Sequence, residues 1–92
     1  MTLTNVIITA YCAGSICANG LKPTPGVTIA GPRWVPLGSV VEVQGHRYIV
    51  QDRMNKRFKD RWDIFMRSRG ECVSFGKQTN NVTIVELKKK GK

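Results

Sequence analysis

Two carboxylates, Asp52 and Asp63, stand eleven positions apart at the ends of two apolar runs in the segment VQDRMNKRFKDRWDIFM, from Val50 to Met66. Carboxylates presented in pairs from strand ends suit acid/base chemistry on a sugar, where a proton must be given to a leaving oxygen and another withdrawn from a hydroxyl. Between them runs a basic loop whose Lys56, Arg57, Lys59 and Arg61 are placed to face an anionic polymer. The same residues allow a purely structural reading. Arg61 lies two residues from Asp63 on the same expected strand face, and Arg53 adjoins Asp52. Two Asp–Arg ion pairs would pin the loop and hold both carboxyls below their ordinary range.

The elements that must position these residues are mostly short strands. Val6 to Tyr11 is β-branched and aromatic, Gly26 to Ala30 follows a Pro/Gly-rich loop, and Val40 to Val43 and Tyr48 to Asp52 flank a turn at Gln44 to His46. Arg61 to Met66 alternates, with Trp62, Ile64 and Met66 on one face and Arg61, Asp63 and Phe65 on the other. Ser68 to Phe75 reads as the one helix, with Ser68 as N-cap, Glu71 completing a capping box and Gly76 ending it. Asn81 to Leu87 is the final strand. Many short strands with one helix predict a mainly β chain, a small barrel whose closure removes exposed edges.

Composition sets the remaining bounds. Ninety-two residues make one domain, and no run approaches the length of a membrane span. Met1 to Asn5 lacks the basic start of a signal peptide, so a soluble chain without an export address is expected. Fifteen Lys and Arg against six acids give a net charge of +9; seven of the fifteen fall between Arg53 and Arg69, and Lys88, Lys89, Lys90 and Lys92 form a tail expected to be disordered. This field favours polyanions without choosing among them. Nucleic acid is the poorer fit, because the basic segment lacks interleaved stacking aromatics.

Cys12 and Cys17 are spaced to close a small disulfide loop in an oxidising compartment, whereas free thiols are expected inside a cell. Cys72 falls on the apolar face of the helix, where a buried thiol is expected. His46, the only histidine, sits in a turn without companion ligands, and neither a metal nor another cofactor is implied.

The succession Thr9-Ala10-Tyr11, Gly26 to Ala30 (GVTIA), Pro36-Leu37-Gly38, Asp52, Trp62 to Phe65 (WDIF) and Phe75-Gly76 resembles the 3D domain, a family named for three aspartates. The resemblance spans about positions 6 to 87. It implies a six-stranded double-psi β-barrel related to the catalytic domain of membrane-bound lytic transglycosylase A and to the stationary-phase survival proteins, and more distantly similar to rare lipoprotein A and expansins. The domain would occupy residues 1–87. The family's second and third aspartates match Asp52 and Asp63, and Asp63 falls on the position assigned as acid/base. Two departures stand out. Where the family has its first aspartate, this chain reads Ala30-Gly31-Pro32, and its glycine-rich loop is replaced by the glycine-free DRMNKRFKD, Asp52 to Asp60.

The resemblance implies a peptidoglycan-cleaving lytic transglycosylase with glycan strands as partner. Asp63 would serve as acid/base and Asp52 as its support, while Tyr11, Thr9, Trp34, Lys56 and Arg61 would contact substrate. A monomer is expected, released as a phage lysis or virion protein or representing a leaderless form of an exported one. The alternative is a non-catalytic glycan-binding or structural virion module of the same fold.

Overall fold

Four of the strands bury alternate side chains. Val6 and Ile8, Val41 and Val43, Trp62 and Ile64, and Val82 and Ile84 form four such pairs, joined in the core by Ile29, Val35 and Val50. The computed structural model describes residues 1–12 and 16–88. Its elements are β1 (Thr2–Tyr11), β2 (Thr28–Gly31), β3 (Val40–Val43), β4 (His46–Arg53), β5 (Arg61–Phe65), α1 (Arg69–Phe75) and β6 (Gln78–Glu86). They close into a six-stranded barrel in the order β1-β5-β2-β4-β3-β6. The β1–β5 and β2–β4 pairs are parallel and the other four antiparallel. The chain is therefore mainly β with a single short helix among the described residues, as its patterning predicts. No helix of the described residues is long and apolar enough to cross a membrane.

Local chemistry sets the turns. Gln44 and Gly45 take φ of 51° and 78° between the paired Val43 and His46, a two-residue hairpin loop of the primed kind that matches strand twist. Ser68 caps α1 by accepting the Glu71 amide at 3.2 Å, and the Glu71 carboxylate accepts the Arg67 amide at 3.0 Å. No side chain of α1 is buried, and Val73 is 72% exposed. Cys72 is accordingly half-buried rather than the core thiol expected of it, because the helix only leans on β1.

Element bounds shift where turns consume residues. β2 begins at Thr28 rather than Gly26, since the amides of Val27 and Thr28 both turn back to the Thr24 carbonyl. β1 and β6 both start earlier than expected and pair with each other across a bulge between Leu3 and Val6, where Asn5 takes φ of 55°. Lys88, first residue of the expected tail, is held by its amide donating to Ser39 Oγ at 3.1 Å; residues 89–92 lie outside the described residues.

Trp62 is wholly buried, and a Cβ on Gly31 would come within 2.9 Å of its ring and 3.3 Å of Val50. A side chain at position 31 would therefore press on the buried indole. Gly31→Ala is expected to lower unfolding free energy by about 1–3 kcal/mol through overpacking. Urea denaturation of the two proteins measures it, and a loss smaller than a few tenths would contradict the contact.

Candidate active site

β2 lies between β4 and β5, and its Ala30 is the register partner of Asp52 on one side and Asp63 on the other. Two strand spacings separate the aspartates, which places their Cα atoms about 10 Å apart. Asp63 faces outward because Trp62 and Ile64 face inward. Asp52 needs a further device. Strict alternation from buried Val50 would turn it into the core, but the register slips between Ile29 and Ala30, leaving Gln51 as an extra residue in β4. The bulge re-aims Asp52 to the face that carries Asp63.

Both carboxylates enter one cleft of about 290 Å³, lined also by Tyr11, Cys17, Ala30, Arg53, Met54 and Asn55. The small Ala30 forms its floor between them. A larger hollow of about 460 Å³ is lined by His46, Tyr48, Phe65, Arg67 and Glu71. It is the weaker candidate for acid/base work, since its one carboxylate is already engaged with the Arg67 amide as part of the helix cap. Phe65 marks the boundary between the two, meeting Tyr11 edge-on with ring centroids 5.2 Å apart.

Hydrogen bonding differentiates the aspartates. Asp52 accepts the amides of Ala18 at 3.0 Å and Arg53 at 2.9 Å through Oδ1, and the Tyr11 hydroxyl at 3.4 Å through Oδ2. It thereby ties the segment after β1 to β4, a tie reinforced by the Asn19 amide donating to the Gln51 carbonyl at 3.1 Å. Asp63 has one side-chain donor, the Thr9 hydroxyl at 2.9 Å. Burial pushes its carboxyl above the ordinary range; the Thr9 hydrogen bond opposes that shift and the Asp52 charge adds to it. Tyr11 is raised as well, by burial first and then by the charges of Asp52, Cys17 and Asp63, so its phenol keeps its proton and remains a donor.

The Asp–Arg ion pairs of the structural reading are not formed among the described residues. Among the described residues the ion pairs are Arg47–Glu42 at 3.7 Å and Lys88–Glu86 at 3.8 Å, both away from the cleft. Arg61 instead stacks on Phe58, 4.6 Å from the ring centroid, and Arg53 meets Asp52 through its backbone. Neither guanidinium comes within ion-pair distance of Asp63.

Of the residues singled out from sequence, Thr9, Tyr11, Asp52 and Asp63 converge. Lys56, Arg61 and Trp34 do not line the cleft. Lys56 stands on the exposed loop beyond Asn55, and Trp34, 40% exposed, donates its indole N–H to the Lys59 carbonyl at 3.1 Å. Sequence reasoning missed the cleft wall of Met54 and Asn55, and Cys17, a buried thiol raised by its own burial and by the Asp52 charge. Cys12 and Cys17 are free thiols, and Cys12 lies instead beside Cys72 in a shallow hollow against α1. No group of three or more metal-ligating side chains occurs among the described residues.

These interactions give a titration with a defined sign. The Asp63 carboxyl is expected to titrate above its ordinary value of 3.8. Thr9→Val should raise it further and Asp52→Asn lower it, as followed by carboxyl-carbon NMR. Because folding raises this value, the folded state holds the extra proton between the unfolded and folded values, and stability falls as pH rises through that window. Asp63→Asn should therefore be more stable than the parent at neutral pH, with the advantage vanishing as pH falls to the unfolded value. Thermal melts across that range read it.

Comparison of the sequence with protein-family models finds none that matches, and comparison with characterised proteins finds no match either.

Proposed function

We propose that this barrel cleaves the glycan strands of peptidoglycan as a lytic transglycosylase, with Asp63 as the acid/base. The observation that carries the reading is the pairing of a half-buried carboxyl, raised by its burial and free of any cation partner, with a second carboxylate across one small residue. An acid that must be protonated when it meets its substrate needs such surroundings. The resemblance of GVTIA, PLG and WDIF to the 3D domain supplies the reaction class.

In this reaction Asp63 gives its proton to the glycosidic oxygen leaving C1 of N-acetylmuramic acid. The carboxylate so formed then takes the proton of the 6-hydroxyl of the same sugar as that oxygen attacks C1, leaving a 1,6-anhydro end. One carboxyl performs both transfers, and no hydrolytic water or second nucleophile is required, unlike the two-carboxylate glycosidases. Asp52 contributes charge and position. Its negative charge helps to keep the Asp63 proton in place, and its hold on Tyr11 orients a phenol at the cleft. Thr9 fixes the Asp63 rotamer through the 2.9 Å hydrogen bond.

The second reading, a non-catalytic glycan-binding module of the same fold, draws on Asp52 itself. A carboxylate that accepts two backbone amides is also what a purely structural tie requires. Digestion of purified peptidoglycan with mass analysis of the products separates the two. The parent protein should release 1,6-anhydro muropeptides, and Asp63→Asn should release them about 10²–10⁴-fold more slowly. Equal release from both would remove Asp63 from the reaction, and no release from either would favour the binding module.

A further inference from the structure

The glycine-free loop is built rather than loose. The Met54 amide donates to the Gly31 carbonyl at 2.9 Å, the Arg33 Nε to the Met54 carbonyl at 3.4 Å, and the Trp34 indole to the Lys59 carbonyl at 3.1 Å. Within it Asn55 accepts the Arg57 amide at 3.0 Å through its side chain and the Phe58 amide at 2.9 Å through its carbonyl. These bonds fix a ridge of cations, Arg53, Lys56, Arg57, Lys59 and Arg61, whose root forms one wall of the cleft. None of the five has a carboxylate within ion-pair distance among the described residues. The loop's own Asp60 pairs with none of them, and five cations against one carboxylate leave an excess of positive charge that suits an anion from outside.

Arg57 and Arg61 both stand 4.6 Å from the Phe58 ring centroid. A guanidinium held over a ring by cation–π attraction still has N–H donors to offer a carboxylate. Phe58 is thereby occupied by guanidinium groups rather than offered to a nucleobase, which argues against single-stranded nucleic acid.

Resting on the glycan-cleaving reading, we infer that this ridge docks the carboxylates of the stem peptides, so that the substrate is peptide-bearing glycan rather than bare glycan. The chemistry of the polymer makes this specific. Each peptide hangs from the N-acetylmuramic acid residue at which the cleft would act, so its carboxylates lie within a short peptide's reach of the bound sugar. A cationic wall continuous with the cleft meets them there.

The test uses the full chain carrying Asp63→Asn, so that strands stay intact, and insoluble peptidoglycan freed of other anionic wall polymers. Binding is compared before and after an amidase removes the stem peptides. Peptide removal should weaken binding about tenfold, and raising salt from about 0.05 M to about 0.5 M should weaken it only while peptides are present. Adding Arg57→Gln with Lys59→Gln should cost about as much on intact material and nothing on bare glycan; Lys56→Gln, which removes one charge rather than two, should show a smaller loss of the same kind. Equal binding to intact and bare glycan would overturn the docking assignment, as would charge-neutral variants that weaken both equally. So would displacement by a duplex DNA fragment at lower concentration than by soluble disaccharide-peptide. Absence of anhydro products from the parent beside peptide-dependent binding would overturn the reaction and leave the docking standing; anhydro products beside peptide-independent binding would do the reverse.

Discussion

The buried indole of Trp62 governs what the rest of the barrel can do. It is fully enclosed, stands against the backbone of Gly31, and fills space that no side chain at that position could share. Strand alternation then does the rest. With Trp62 and Ile64 turned inward, Asp63 has no choice but the outer face of β5, where Thr9 of the parallel neighbour β1 meets it in register. The indole N–H finds no hydrogen-bond partner, a cost of about 1–3 kcal/mol that the core accepts for the volume of the ring. The residue that makes the core therefore also sets the direction of the candidate acid.

The same constraint accounts for the site's composition. Any side chain at position 31 would press on the indole, so β2 contributes only the small Ala30 between the two aspartates. What remains is an unequal pair. Asp52 is surrounded by donors from three parts of the chain, whereas Asp63 receives a single hydroxyl and is partly withdrawn from water. Environments that treat two carboxyls differently are the usual physical route to different roles for them.

Much of this arrangement is legible in the sequence, and the illegible part has definable causes. Period-two patterning places Trp62 and Ile64 inside and Asp63 outside, while Ser68, Glu71 and Gly76 announce the ends of α1. The bulge at Gln51 leaves no such mark. It depends on pairing between β2 and β4, strands separated by a loop, β3 and its hairpin turn, and without it alternation would put Asp52 in the core. The proximity of Arg61 and Asp63 in sequence misleads for a related reason. Two residues apart on one strand face is near enough for an ion pair, but Phe58 offers Arg61 a stacking surface that only the folded loop presents. Cys72 errs in the other direction: its spacing marks an apolar helix face, yet a helix of seven residues leaning on one strand has little core to enter.

The loop between the aspartates follows from the same geometry. A glycine-rich connection owes its close approach to missing side chains, whereas this one reaches its shape through side chains, with Asn55 bracing the turn and Arg33 and Trp34 clasping its backbone. Clasping from the 31–34 segment matters because that segment begins at Gly31, against Trp62. The indole thus fixes Gly31, Gly31 receives the Met54 amide, and the loop carries its cations from that anchor along the edge of the cleft. A charged ridge on a mobile loop would average its field over many positions. Fixed to the core by this chain of contacts, the loop keeps its root, Arg53 to Asn55, as one wall of the cleft and carries the cations beyond it outward from that anchor.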